Sequence, residues 1–342
     1  MNGGMELYLH MPFCVRKCAY CDFLSFPTDQ ETQNLYTRRL REDIDAMGKK
    51  YGDIPVDTIF IGGGTPSVPD SALIVGIMEH VRKAFHVAEG AEISMEANPG
   101  TVTREKLTDY RRAGINRLSF GLQSANDREL KLLGRIHTWA EFLESFHLAR
   151  ECGFTNINID LMSALPGQTR ESWKDTLKRV TDLNPEHISA YSLIIEDGTP
   201  FGEKYGSEEG RKLLPDEDSE REMYHETKRF LRDCGYERYE ISNYAKPGRA
   251  CRHNIGYWTG LPYLGLGLGA SSYMDGCRFA VNSDMKQYLE EKPGMFTDVE
   301  KLTKKDMEEE FFYVGLRMTA GVSLPEFERR FGVSAKDVYP GL

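Results

Sequence analysis

Apolar and polar positions along the first two-thirds of the chain alternate between two rhythms. Short β-rich runs read as strands over Glu6–His10, Thr58–Gly62, Glu92–Glu96, Arg117–Gly121, Asn156–Leu161 and His187–Leu193. Between them, longer amphipathic stretches fall at Gln33–Lys49, Asp70–Phe85, Arg104–Ala113, Trp139–Cys152 and Arg170–Asp182. In the second of these, Leu73, Ile77, Val81 and Phe85 recur at four-residue steps, which predicts one buried helix face. Six strand–helix repeats imply a parallel sheet, because each crossover returns the chain to the same edge. Six units fall short of the eight that close a TIM barrel. The predicted fold is therefore α/β, an open, partial (β/α)6 TIM-like barrel.

After Leu193 the alternation fails. A loop leads into a helix near Glu220–Cys234, then comes a glycine-rich segment at 251–276. Two helical patterns follow, around Asp306–Met318 and Leu324–Phe331. This divides the chain into a barrel over residues 1–235 and a smaller, α-rich C-terminal region over 236–342. Its stop at "VYPGL" predicts an incomplete helical domain.

Charge narrows the function. A net charge of −10 over 342 residues leaves no electrostatic footprint for nucleic acid and disfavours anionic lipid. No apolar run reaches the length of a membrane span, and "MNGGMELYLHMPFC" lacks the pattern of a signal peptide. Seven cysteines, odd in number and unevenly placed, do not read as a disulfide framework. The expected compartment is the reducing cytoplasm, where clustered thiolates are free to bind metal.

Three of those cysteines, Cys14, Cys18 and Cys21, crowd into "HMPFCVRKCAYCDF" directly after the first strand. Barrels keep their active sites on loops leaving the C-terminal ends of strands. Two metals suit C-x3-C-x2-C. A structural zinc wants a fourth ligand, and His10 or a distant Cys251 would have to supply it. A four-iron cluster normally takes four thiolates, so three leave one iron open. Other strand ends converge on the same mouth. "FIGGGTPS", residues 60–67, ends the second strand with glycines that permit either a tight turn or close approach to a ligand. Glu96, Gln123 and Asp160 end the third, fourth and fifth. Desolvated polar groups gathered at one mouth need a partner.

The runs "YLHMPFCVRKCAYCDF", "GGGTPS", "EANPG", "SFGLQS", "NIDLMSALPGQT" and "HISAYSL", in this order, resemble the radical SAM superfamily. In detail they resemble its branch of oxygen-independent coproporphyrinogen oxidases and haem chaperones, over nearly the whole chain. The resemblance implies a barrel of the radical SAM type. It implies a [4Fe–4S] cluster on Cys14, Cys18 and Cys21, with S-adenosylmethionine on the fourth iron. Carried across residue by residue, Tyr8 and Tyr20 would line that cofactor, while Gly63, Gly64 and Thr65 would cradle its methionyl end. Glu96, Gln123, Arg135 and Asp160 would hold its ribose, sulfonium and carboxylate region. Anionic side chains suit a sulfonium and an ammonium, and Arg135 suits a carboxylate. No catalytic residue is assigned, because the radical step belongs to the cofactor.

Two departures distinguish the oxidases. Asp22 and Phe23 stand where the oxidases carry a Gly and a further Cys, and the N-terminal extension that helps enclose their substrate is absent. Both departures match the haem-chaperone side. "HNIGYW", residues 253–258, matches a haem-associated motif of that side and implies haem contacts from His253, Asn254, Tyr257 and Trp258. Cys251 is an alternative thiolate ligand. "GLGLGAS", residues 265–271, reads either as a surface for the cofactor's adenine or as a buried strand. The resemblance thus implies a chaperone that binds haem and passes it to haem-accepting proteins, with an electron donor as a further partner. The alternative is an oxygen-independent coproporphyrinogen III oxidase.

Overall fold

Six parallel strands form the centre of the computed structural model, which describes residues 4–341. They are β1 (Met5–Met11), β2 (Val56–Gly63), β3 (Val87–Ala97), β4 (Arg117–Gln123), β5 (Ile157–Ser163) and β6 (His187–Ser192), paired in sequence order. Helices α1 (Gln30–Tyr51), α2 (Ser71–Ala84), α3 (Arg104–Arg112), α4 (Asp127–Leu133), α5 (Trp139–Glu151) and α6 (Arg170–Asp182) make the crossovers. Helix starts follow side-chain caps. Asp29 accepts from Thr32 N and begins α1 three residues before the expected Gln33. Thr138 and Glu141 form a reciprocal capping box on α5. The short α4 has no counterpart among the expected helices, since its seven residues are too few to show a period.

In α2 the buried apolar residues are Ile74, Ile77, Met78 and Val81. A face of strict four-residue steps drifts around a helix of 3.6 residues per turn, so Leu73 is only half-buried and Ile74 takes its place.

The sheet does not close. β1 pairs on its free side with β9 (Tyr263–Leu266), and β6 pairs with β8 (Asn243–Ala245), which continues to β7 (Glu237–Arg238). Beyond β9 lie β10 (Ser271–Met274), β11 (Cys277–Ala280) and β12 (Thr297–Lys301), all antiparallel. One 12-stranded sheet therefore runs across residue 235, the expected division. The segment 265–271 supplies the end of the buried β9 and the turn into β10. Helices α7 (Pro200–Tyr205), α8 (Glu208–Arg211) and α9 (Glu217–Asp233) follow β6, and α10 (Arg252–Trp258) precedes β9. After α11 (Met285–Glu290), the helical end comprises α12 (Lys304–Gly315), α13 (Leu324–Phe331) and α14 (Ala335–Val338).

Side-chain alternation explains what the barrel encloses. One face of the six strands, with Leu7, Leu9, Ile59, Ile61, Met95, Leu118, Phe120, Ile157, Ile159 and Ile188, belongs to the main apolar core with the helices. The opposite face is largely polar: Glu6, Thr58, Glu92, Arg117, Asn158 and His187 near the N-terminal ends, then Ser94, Ser119, Asp160 and Ser189 above them, with Tyr8 and Phe60 as aromatic exceptions. These groups bond across strands, as in Ser119 Oγ donating to Asp160 Oδ2 at 3.1 Å and Asn158 Nδ2 to Ser119 Oγ at 2.7 Å. A TIM barrel fills this space with branched apolar side chains. Here it is lined for polar ligands. Among the described residues, no helix is long and apolar enough to cross a membrane.

Candidate functional site at the open end of the half-barrel

The cysteine loop leaves β1 and is held in place by its backbone. Phe13 and Phe26 form an isolated parallel bridge, Cys14 N donates to Phe26 O, and Phe26 N donates to Pro12 O. Further along, Ala19 N donates to Leu133 O, Phe201 N to Ala19 O, and Arg16 to Gly134 O at 2.7 Å. Cys14, Cys18 and Cys21 are all unpaired and partly exposed. Burial pushes the Cys21 thiol up.

The glycines read either as a tight turn or as a close approach to a ligand; within the protein, what approaches Gly63 and Gly64 is the cysteine loop and the strand leading into it. A Cβ on Gly64 would lie 2.6 Å from Phe13 O, and one on Gly63, whose φ is +109°, would lie 2.4 Å from the His10 ring. Gly64 N and Thr65 N donate to Met11 O and Phe13 O. The second strand end thereby sets the height of the cysteine loop.

A closed chain of side chains links two of the cysteines. Asn98 Nδ2 donates to Thr65 Oγ1 at 2.8 Å, which leaves the Thr65 hydroxyl hydrogen for Cys14 Sγ at 3.6 Å. Arg135 Nη2 donates to Asn98 Oδ1 at 2.8 Å and to Gly121 O, and Arg135 Nη1 reaches Cys18 Sγ at 3.5 Å. Donors aimed at sulfur stabilise thiolates and orient them. Asn98 is a residue that sequence reasoning missed. Its signal was present, since it stands two places after Glu96 in "EANPG".

Glu96 accepts from Gly63 N at 3.0 Å. Burial, followed by the nearby Asp160 charge, pushes its carboxyl up to about 8. Asp160 is also raised by burial, although Asn158, Ser119 and Ser189 bond to it. Gln123 takes a left-handed φ of +73° where β4 bulges against β5, and its Oε1 accepts from Tyr191 OH at 3.1 Å. Tyr191 was likewise missed. Tyr8 OH bonds His10 Nδ1 at 3.0 Å, and His10 Nε2 donates to Leu24 O, just past the cysteines, at 2.8 Å. Tyr20 is half-buried near Arg135, Cys18, Cys21 and Asp160. Every residue expected to hold the cluster or S-adenosylmethionine thus lies at this mouth or just beneath it.

The zinc alternative loses its fourth ligand. His10 commits both ring nitrogens as described, and Cys251 is buried at the other end of the strands against Glu92 Oε1. Among the described residues, no three His, Cys, Asp or Glu side chains converge on one ion position.

The segment expected to contact haem is not brought to the mouth. His253 is 2% exposed and lies at the N-terminal ends of the strands. Its Nδ1 lies 2.7 Å from Thr58 Oγ1 and its Nε2 3.1 Å from Tyr257 OH. As folded, it offers iron no free lone pair. Trp258 faces the helical end, with the Arg317 guanidinium 4.3 Å over its ring. Asn254 is half-buried on the same short helix.

Comparison with known proteins gives the family and the fold. The family profile described as "Radical SAM superfamily" matches residues 8–180, and that of the "HemN C-terminal domain" matches 302–342. The chain is 36% identical over 339 residues to the "Heme chaperone HemW" of Bacillus subtilis (strain 168), covering 98% of this chain and 89% of that one. To the protein of the same name from Escherichia coli (strain K12) it is 42% identical over 272 residues, covering 78% and 69%. Its fold superposes on the radical SAM enzyme coproporphyrinogen III oxidase (HemN) from Escherichia coli with a TM-score of 0.85 at 26% identity, covering 98% of this chain and 81% of that one.

Proposed function

The chain belongs to the radical SAM superfamily and to its HemW branch, and from that membership we propose a cytoplasmic haem chaperone that delivers haem to acceptor proteins. In this reading Cys14, Cys18 and Cys21 hold a [4Fe–4S] cluster and leave one iron for S-adenosylmethionine. An electron donor serves the cluster. When bound, the two groups supply one-electron chemistry.

One observation carries the assignment: three unpaired thiols lie on a pinned loop at the same end of the strands as Glu96, Gln123 and Asp160, and Arg135 reaches the Cys18 sulfur. The residues fit the groups. Thr65 and Arg135 place donors on Cys14 and Cys18, and Cys251 lies at the other end of the strands against Glu92. Glu96 and Asp160 offer negative charge to a sulfonium and an ammonium. Tyr8, Tyr20 and Gln123 line the space between, and Gly63, Gly64 and Thr65 form its side. Asp22 and Phe23 follow Cys21 without a further cysteine, which supports the chaperone over the oxidase. Haem is cargo here, not a resident group.

The test is anaerobic. Reconstituted protein is expected to bind added haemin with a Soret band and to form no protoporphyrinogen from coproporphyrinogen III with S-adenosylmethionine and a reductant. Stoichiometric protoporphyrinogen would reverse the assignment.

The Glu96 carboxyl makes cofactor binding depend on pH. Its neighbours are Asp160, Arg117 and Tyr8, and with its value near 8 it is mostly protonated at neutral pH. A cationic ligand favours the ionised form, so binding releases a proton. Affinity for S-adenosylmethionine should rise with pH, by at most about tenfold per unit, and level off above about pH 8. Equilibrium binding between about pH 6.5 and 9 measures this. Glu96→Gln should bind more weakly with a flat profile, and a flat profile in the unaltered protein would remove Glu96 from the site.

A further inference from the structure

We infer that α10, which carries "HNIGYW", is the floor of the cofactor pocket and that His253 is a positioning residue for S-adenosylmethionine rather than a ligand of haem iron. The inference rests on the cofactor assignment proposed above.

Helix α10 has no side-chain cap of its own. Glu92, from β3, replaces it. Its Oε1 accepts from Cys251 Sγ at 3.4 Å, Arg252 N at 3.0 Å and His253 N at 3.3 Å. Glu6, from β1, meets the helix at Gly256, where a Cβ would fall 1.9 Å from Oε1. The helix is thus set against two buried carboxylates at the N-terminal ends of the strands.

The imidazole is committed. Thr58 Oγ1 donates to Glu6 Oε1 at 3.2 Å, so its lone pair receives Nδ1–H of His253. Nε2 is then the acceptor for Tyr257 OH. The hydrogen-bond network assigns this tautomer, and it leaves a neutral ring with both nitrogens used. Burial holds the ring neutral as well, pulling its value down to about 3.

The ring's face points up the barrel. Phe60 stacks on His253 at 5.2 Å between centroids, and Tyr8 lies against Phe60 at 6.4 Å. The edge of Phe60 fills the space left by Gly62, where a Cβ would sit 2.9 Å from the Phe60 ring and 3.1 Å from the Glu96 carboxylate. Above, Tyr8 bonds His10, and His10 bonds Leu24 of the cysteine loop. Three stacked rings therefore connect α10 to Glu96 and to the cluster loop, and packed stacks transmit displacement because interiors have little free volume.

The experiment uses the full chain, reconstituted anaerobically, with His253→Ala and Phe60→Leu. Iron content, affinity for S-adenosylmethionine, the change in the cluster's EPR signal on adding it, and the haemin Soret titration are read on each. Losses in supporting residues commonly weaken a site by 10–100-fold, so His253→Ala should bind S-adenosylmethionine at least roughly tenfold more weakly. Its EPR change should appear only at correspondingly higher concentration, with iron content and Soret titration as in the unaltered chain. Phe60→Leu, which breaks the ring stack above His253 but alters no residue of α10, should follow the same pattern. Unchanged cofactor affinity in His253→Ala, or a lost Soret band with that affinity intact, overturns the inference. If His253→Ala does not fold, unchanged affinity in Phe60→Leu overturns it. An unaltered chain that takes up iron but binds no S-adenosylmethionine refutes the cofactor assignment itself.

Discussion

Replacing Cys14, Cys18 or Cys21 singly with alanine is expected to abolish the iron–sulfur cluster while the protein stays folded. Iron should fall from about four per chain to near zero, and the broad absorption of the cluster should vanish. The fold survives because the sulfurs supply only two long contacts, Cys14 with Thr65 and Cys18 with Arg135. The loop is closed by Phe13 and Phe26 and tied to Leu133, Gly134 and Phe201 through its backbone and Arg16. All three thiols are partly exposed and stand outside both apolar core clusters, so truncation opens no core cavity. Unfolding free energy of the cluster-free protein should change by no more than about 0.5 kcal/mol, as for other exposed substitutions. Iron analysis with circular dichroism checks both halves. Full iron content in any one variant would remove that cysteine from the ligand set.

Arg117→Met is expected to be the most destabilising single change in the barrel, by ~3–5 kcal/mol, because it strands buried charge. Arg117 is 2% exposed at the start of β4. Its guanidinium neighbours Glu92, Cys251, Tyr239 and Asp160, and Nη1 reaches Ser94 Oγ at 3.4 Å. It is the cation among the carboxylates of the barrel floor. Without it, Glu92 keeps three donors from α10 but loses its compensating charge. The effect should extend to the mouth, because Arg117 also lowers the Glu96 value, though less than burial and Asp160 raise it. Cofactor affinity in the variant should therefore reach its plateau at a higher pH than in the unaltered protein. Urea unfolding tests the first effect and a pH series of cofactor binding the second. A loss below about 1 kcal/mol would mean that water reaches the floor and shields its carboxylates.

The strands and the principal crossover helices were legible because their signals are local. A period of two or 3.6, a cap three residues from its partner, or C-x3-C-x2-C spacing is complete within a few turns of chain. The polar barrel face was present in the same strings but was read only at the strand ends. Glu6, Thr58, Arg117 and His187 each precede an apolar residue, as in any half-exposed strand, and nothing nearby says that their face looks inward. Asn98 was hidden for a related reason, since an Asn before a Pro reads first as a turn residue.

The sequence by itself determined the order of the elements, the cysteine loop and the strand-end groups that face it. Tertiary structure alone decided what lies beneath them. The glycines at 63 and 64 make room for the His10 ring and the cysteine loop, and "HNIGYW" closes the barrel floor. The contact that settles the second point, Thr58 with His253, joins residues 195 apart. Such a pairing follows from how the whole sheet curves and which carboxylates it buries, quantities to which every strand contributes and which no short stretch contains.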